Sequence, residues 1–180
     1  DYDVALMNPP YGSGNRMPTT VKEYAESNYR YRPEFYINFF EVCQSLSREN
    51  GRIGMLVPRT FMFKRTFTDF RQDFIGELGS FDFLAEYGIG ILDNATVRTV
   101  GTVIRSGQST PDSAESTFLR LSDKDGSEKE ETFLTDILGT QDVDDVERVY
   151  NVPLSEFERI PWSPLSYYTP DIVRDIHDTE

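Results

Sequence analysis

The sequence predicts an α/β fold, a mostly parallel sheet with helices packed on it. Three observations carry this. Apolar runs of strand length recur at 2–7 (YDVALM), 52–58 (RIGMLVP) and 81–89 (FDFLAEYGI). The segments between them carry apolar residues at helical spacing. The first two runs end at prolines, Pro9 and Pro58, which stop a central strand. Strands joined through helices run parallel with right-handed crossovers, and such sheets bind ligands beyond the carboxyl ends of their strands.

Taken in order, residues 2–7 read as a buried strand. Residues 8–33 are rich in Gly, Asn, Pro and Tyr without a clean period and read as a long loop. Residues 33–50 predict a helix, with Pro33 at its first turn, Phe35, Tyr36, Phe39, Phe40, Val42, Cys43 and Leu46 on its apolar set, and Gly51 as its terminating glycine. The strand 52–58 follows. Phe67, Phe70, Phe74, Ile75 and Leu78 predict a second helix over 66–78. A third strand covers 81–89 and a fourth 98–106, the short connection between them favouring an antiparallel closing pair. Residues 107–116 (GQSTPDSAES) have the composition of a linker. A strand at 117–122, a charged solvated turn (DKDGSEKEE) and a proline-punctuated stretch over 142–180 complete the chain. The predicted organisation is 1–106 as one part and 107–180 as a linker leading onward. The chain opens inside a strand and ends in an opening helix, and reads as a piece of something longer.

No apolar run has transmembrane length and no signal-peptide pattern is present. Cys43 is the sole cysteine, so neither an internal disulfide nor a cysteine-based zinc cluster can form; its place on an apolar helix face makes it a core residue. Both points favour the cytoplasm. Net charge is −13, and lysine occurs only at 22, 64, 124 and 129. Such a surface fits either a high-salt cytoplasm, where screening removes self-repulsion, or an ordinary acidic protein that does not touch nucleic acid.

Asn8-Pro9-Pro10-Tyr11 closes the first strand. Two prolines remove two backbone donors and lock two φ angles, and each pushes the residue before it to an extended form. Asn8 and Pro9 are thus held stiffly at the edge where ligands bind. A rigid proline turn ended by a surface tyrosine is the plain structural reading.

A strand ending in Asn-Pro-Pro-Tyr resembles the catalytic motif of amino-methyltransferases that use S-adenosylmethionine. The stretches FLAEYGIGILDNATVRTVGTVI (83–104) and FERIPWSPLSYYTPDI (157–172) resemble restriction-type adenine methyltransferases and those of phage-growth-limitation (BREX) defence. The resemblance implies the C-terminal half of a Rossmann-like methyltransferase sheet, followed by the start of a target-recognition region at 107–180. It implies adenine-N6 methylation of double-stranded DNA with S-adenosylmethionine as cofactor, possible defence-system partner subunits, and little activity from this piece alone. The side-chain oxygen of Asn8 and the backbone oxygen of Pro9 would accept the two amine hydrogens. That localises the nitrogen lone pair by positioning and electrostatics rather than by a strong base. Pro10 would hold the turn, and Tyr11 would stack on an adenine turned out of the duplex. The cofactor's glycine motif is expected upstream of Asn8, leaving Asn8 adjacent to it. Gly88-Ile89-Gly90 is a weak substitute that reads as a flexible strand end.

Arg59, Lys64 and Arg65, interleaved with Phe61 and Phe63, fall at the binding edge and are candidates for DNA contact; a basic loop over a core aromatic is the plain alternative. Arg16 and Lys22 read as solvent-exposed loop cations. Tyr87 and Phe61 are candidates for a second aromatic beside the base, with core packing the other role for Phe61. His177 and the carboxylates of 142–150 offer no metal-ligand pattern. Two rivals stand beside this reading: a protein glutamine methyltransferase, and a binding module that keeps the motif as scaffold.

Overall fold

The computed structural model describes residues 1–12, 14–31, 34–92, 96–108, 114–138 and 147–170. Pro33, His177 with the expected terminal helix, the carboxylates at 142–146 and the middle of the linker lie outside the described residues.

Strands β1 (Tyr2–Met7), β2 (Ser47–Pro58), β3 (Gly79–Gly88), β4 (Thr99–Ser106), β5 (Glu115–Arg120) and β6 (Val149–Pro153) form one sheet in the order β1-β2-β4-β3-β5-β6. β1 pairs parallel with β2, and β3 parallel with β5. β4 lies antiparallel between β2 and β3, and β6 antiparallel to β5. The first three strands therefore share a direction, as the intervening helices predict. The antiparallel fourth strand inserts between the second and third instead of closing an edge. Its sequence suits that place: Val100 and Ile104 are fully buried, Thr102 nearly so, and the one proline in its ladders, Pro58 opposite Thr99, stands at the ladder's end.

The helices are α1 (Thr19–Asn28), α2 (Phe35–Leu46), α3 (Thr68–Gln72, widening into a π-helical turn over Asp73–Glu77), α4 (Lys129–Leu138) and α5 (Ser155–Glu158). α1 lies inside the expected loop; it buries only Ala25, so its pattern has little period to detect. α2 ends at Leu46, not at Gly51, and β2 begins at once. Gly51 serves the strand: a Cβ there would stand 2.9 Å from the Arg48 carbonyl oxygen and 3.1 Å from that of Tyr2. The left-handed residue is Asn50, at φ 61°. The expected charged turn closes by residue 128, and α4 follows, with Lys129 buried rather than solvated.

α2, α3 and the π turn cover one face of the sheet. Phenylalanines dominate that core: Phe70 lies 5.1 Å from Phe40 and 4.9 Å from Phe74, and Phe61 stacks on Phe81. Such rings bury about 150–250 Å² each, so they supply much of the stabilisation. Phe118, Phe157, Leu165 and Tyr167 join the same core, which ties the described part of 114–170 to the first three strands. Cys43 is buried within it, as expected. On the other face α4 packs Phe133 and Ile137 over Ala85, Leu119 and Leu121. Among the described residues nothing else packs on Tyr2, Val4 and Leu6 of edge strand β1, which are exposed. Among the described residues no helix is long and apolar enough to cross a membrane.

Candidate functional site

β1 delivers the motif to the carboxyl edge of the sheet. Asn8 is exposed, Pro9 buried, Pro10 exposed and Tyr11 half-buried. The Tyr11 hydroxyl donates to the Leu56 carbonyl of β2 at 3.1 Å, and burial raises its pKa. The Phe35 N–H donates to the Gly12 carbonyl at 3.1 Å and anchors the loop to the start of α2. The rigid turn is thus pinned on both sides. Among the described residues the Asn8 amide and the Pro9 carbonyl take no hydrogen-bond partner.

Asn8 lines an open groove of roughly 540 Å³ with Leu6, Leu56, Phe83, Tyr87 and Phe133, a volume in the usual range for small-ligand clefts. Tyr87 therefore shares a surface with Asn8. Its ring lies on Gly101, where a Cβ would approach it to 3.0 Å, and burial raises its pKa. Phe61 is enclosed by Phe40, Phe70 and Phe81 and is a core residue. Phe133 is an aromatic the sequence reading missed. The spacing of Phe133 and Ile137 on one helix face is the signal that was there to find.

Of the candidate cations, Arg59 faces inward. Its Nε stands 2.9 Å from Glu86 Oε1, and its guanidinium lies over the Phe63 ring at 4.6 Å. Lys64 and Arg65 are exposed. Arg98, not singled out by the sequence, joins Arg59 and Lys64 in lining a hollow with Thr60 and Phe63. Glu86 was also missed; buried on β3, it accepts from the Tyr167 hydroxyl at 2.8 Å. Tyr167 stacks on Phe118, and its pKa is raised by burial and then by the charge of Glu86. Arg16 is exposed in a short turn, and Lys22 lies 3.8 Å from Glu26 on α1. Neither stands among the residues lining these hollows.

Gly88 and Gly90 take positive φ at the end of β3. Ser122 packs against Gly88 and Gly126 against Gly90, while Lys129 donates to the Ile89 carbonyl. The turn itself is packed by the chain, and Gly90 borders an open hollow of roughly 480 Å³ with Leu56, Tyr87, Lys129 and Phe133. Among the described residues no cluster of His, Cys, Asp and Glu is arranged to hold a metal ion.

Residues 1–79 match the family model of the Eco57I restriction-modification methylase. The adenine-specific methyltransferase PglX of Lacticaseibacillus casei (strain Zhang) is 25% identical over 174 residues, covering 93% of this chain and 14% of that protein. The adenine-specific methyltransferase BrxX of Escherichia coli O9:H4 (strain HS) is 25% identical over 171 residues, covering 93% of this chain and 13% of that protein. The chain thus spans about one seventh of the length of these relatives. Among solved structures, the methyltransferase subunit of a type I restriction-modification system from Streptococcus thermophilus superposes with a TM-score of 0.60 at 14% identity. It covers 91% of this chain and 37% of that one. A Listeria monocytogenes protein described as a class I S-adenosylmethionine-dependent methyltransferase gives 0.54 at 17% identity, over 74% of this chain and 41% of that one. The fold is the Rossmann-like fold of these methyltransferases.

Proposed function

We propose that this chain is part of the catalytic domain of an adenine-specific DNA methyltransferase serving a restriction-modification or phage-defence system. The observation that carries the reading is Asn8. It stands exposed at the carboxyl end of β1, its side-chain amide without a hydrogen-bond partner among the described residues, fixed by a proline turn that Tyr11 and Gly12 anchor.

In this reading the Asn8 side-chain oxygen and the Pro9 carbonyl oxygen accept the two hydrogens of the adenine N6 amine. Hydrogen bonding to both draws that nitrogen toward tetrahedral geometry and localises its lone pair. Donors and acceptors fixed before reaction spare the reorganisation that water would need. Pro10 keeps the turn rigid, and Tyr11 supplies a ring face to the extruded base. Tyr87, on the same groove, is the second aromatic. Lys64 and Arg65 meet the DNA backbone, while Arg59 is held back by Glu86. S-adenosylmethionine supplies the methyl group when bound. In this reading Asn8 lies adjacent to its site. The open face of β1 packs against the remainder of the domain, and residues beyond 107 lead toward target recognition.

The test is Asn8→Ala in the complete protein, read by adenine methylation of host DNA. Methylation is expected to vanish with the melting temperature unchanged, because the side chain is exposed. Unaltered methylation would overturn the proposal.

A further inference from the structure

Trp162 is the only tryptophan of the chain, and it is 52% exposed. Its neighbours Phe157, Leu165 and Tyr167 are buried. Trp162 and Ser163 both adopt positive φ, 70° and 48°. Two successive side-chain-bearing residues in the left-handed region carry a backbone cost that the surroundings must impose.

Arg71 imposes it. This arginine is fully buried and has no carboxylate partner among the described residues. Its Nη2 donates to the Trp162 carbonyl at 2.6 Å and its Nε to the Ser163 carbonyl at 2.8 Å. Nη1 donates to the carbonyls of Phe61 and Lys64 at 2.7 and 2.9 Å. Burial pushes its pKa down to about 10, which leaves it charged at neutral pH. One guanidinium therefore clamps the turn at 162–163 to the loop after β2. A glycine turn would close the chain here without strain. The outcome of the strained one is an indole held outward.

The exposed indole has a cation on its face. The Arg65 guanidinium lies over the ring at 4.6 Å, and Lys64 is exposed beside it. Neither has an ion pair among the described residues, although Glu34 lies near enough to feel the charge of Lys64. In a chain of net charge −13 this is a local positive ledge, on the same carboxyl edge of the sheet as Asn8.

We infer that the Arg65–Trp162 pair is a DNA-contacting element, the indole stacking on a nucleobase while Arg65 and Lys64 meet phosphates. Indole and guanidinium are the groups that bind nucleic acid through base faces and backbone charge together. The assignment rests on the DNA reading above and adds a contact outside the adenine site.

The complete protein and its Trp162 variant are titrated with a short fluorescein-labelled DNA duplex and with one of its single strands, following anisotropy and tryptophan emission together. Binding is expected to quench an emission component that the variant lacks. Trp162→Asn keeps a residue that tolerates positive φ and should weaken binding roughly tenfold, the scale of one lost stack. Arg65→Ala should reduce the salt dependence by about one phosphate contact. Should Trp162→Asn melt early, Trp162→Gly relaxes the same turn and serves instead. DNA that binds without quenching, or binds the variants equally well, overturns this inference and leaves the DNA reading standing. Absence of DNA binding by the complete protein overturns both.

Discussion

Arg59 and Glu86 face one another at 2.9 Å across the carboxyl ends of β2 and β3, with side chains 22% and 2% exposed. Glu86 also accepts from Tyr167, so one carboxylate joins the loop after β2 to the C-terminal segment. Glu86→Ala leaves the Arg59 guanidinium without its counter-charge and the Tyr167 hydroxyl without its acceptor. The expected loss is about 3 kcal/mol in urea unfolding, the scale for breaking a shielded pair. Glu86→Gln retains an acceptor for Tyr167 and should lose less.

Tyr11 separates ring from hydroxyl. Tyr11→Phe removes the bond to the Leu56 carbonyl and should lower stability by about 1 kcal/mol. It keeps the ring, so adenine methylation by the complete protein should persist. Tyr11→Ala removes both and should cut methylation by at least tenfold, within the range measured for a lost base stack. Steady-state rates on one DNA substrate compare the two.

Stability should fall at alkaline pH. Tyrosine in an unfolded chain ionises near pH 10. Burial, then the 2.5 Å hydrogen bond to Asp73 and its charge, raise Tyr31 well above that; burial and Glu86 do the same for Tyr167. The folded state keeps protons that the unfolded state releases. The contribution is therefore complete below about pH 10 and is lost as pH rises toward the folded values. Thermal melts from about pH 8 to 11 should show a falling midpoint, and Tyr31→Phe should flatten the fall.

Arg71→Lys tests the buried clamp. A lysine ammonium lacks the planar fork and cannot reach all of the carbonyls that Arg71 serves. A loss of about 3 kcal/mol or more is expected in denaturant unfolding, since hydrogen bonds to a charged group contribute about 1.5–3 kcal/mol each.

The strand–helix alternation and the motif were legible because they are local. Apolar runs at strand length, phenylalanines at helical spacing and two adjacent prolines announce themselves without partners. The position of β4 was not legible, since insertion between β2 and β3 depends on pairings far apart in sequence. α1 was hidden by its weak apolar face, and α4 by the charged stretch at its start. Gly51 comes after a helical pattern as a terminating glycine would, yet lies inside β2, and only the approach of β1 reveals its role. The same limit applied to the site. The motif puts Asn8 and Tyr11 forward as candidates and the structure sets them at the carboxyl edge of the sheet, whereas Glu86, Arg98 and Phe133 gain meaning only when distant segments meet.

The guanidinium of Arg71 holds the loop after β2 and the turn at 162–163 in a single grip, and the Leu165 N–H donates to the Met62 carbonyl beside it. The two segments must therefore travel as one rigid body. A rotation cannot pivot between residues 65 and 162 without tearing a charged group from its carbonyls. Relative motion of the sheet's loops has to be taken up outside this pair of segments.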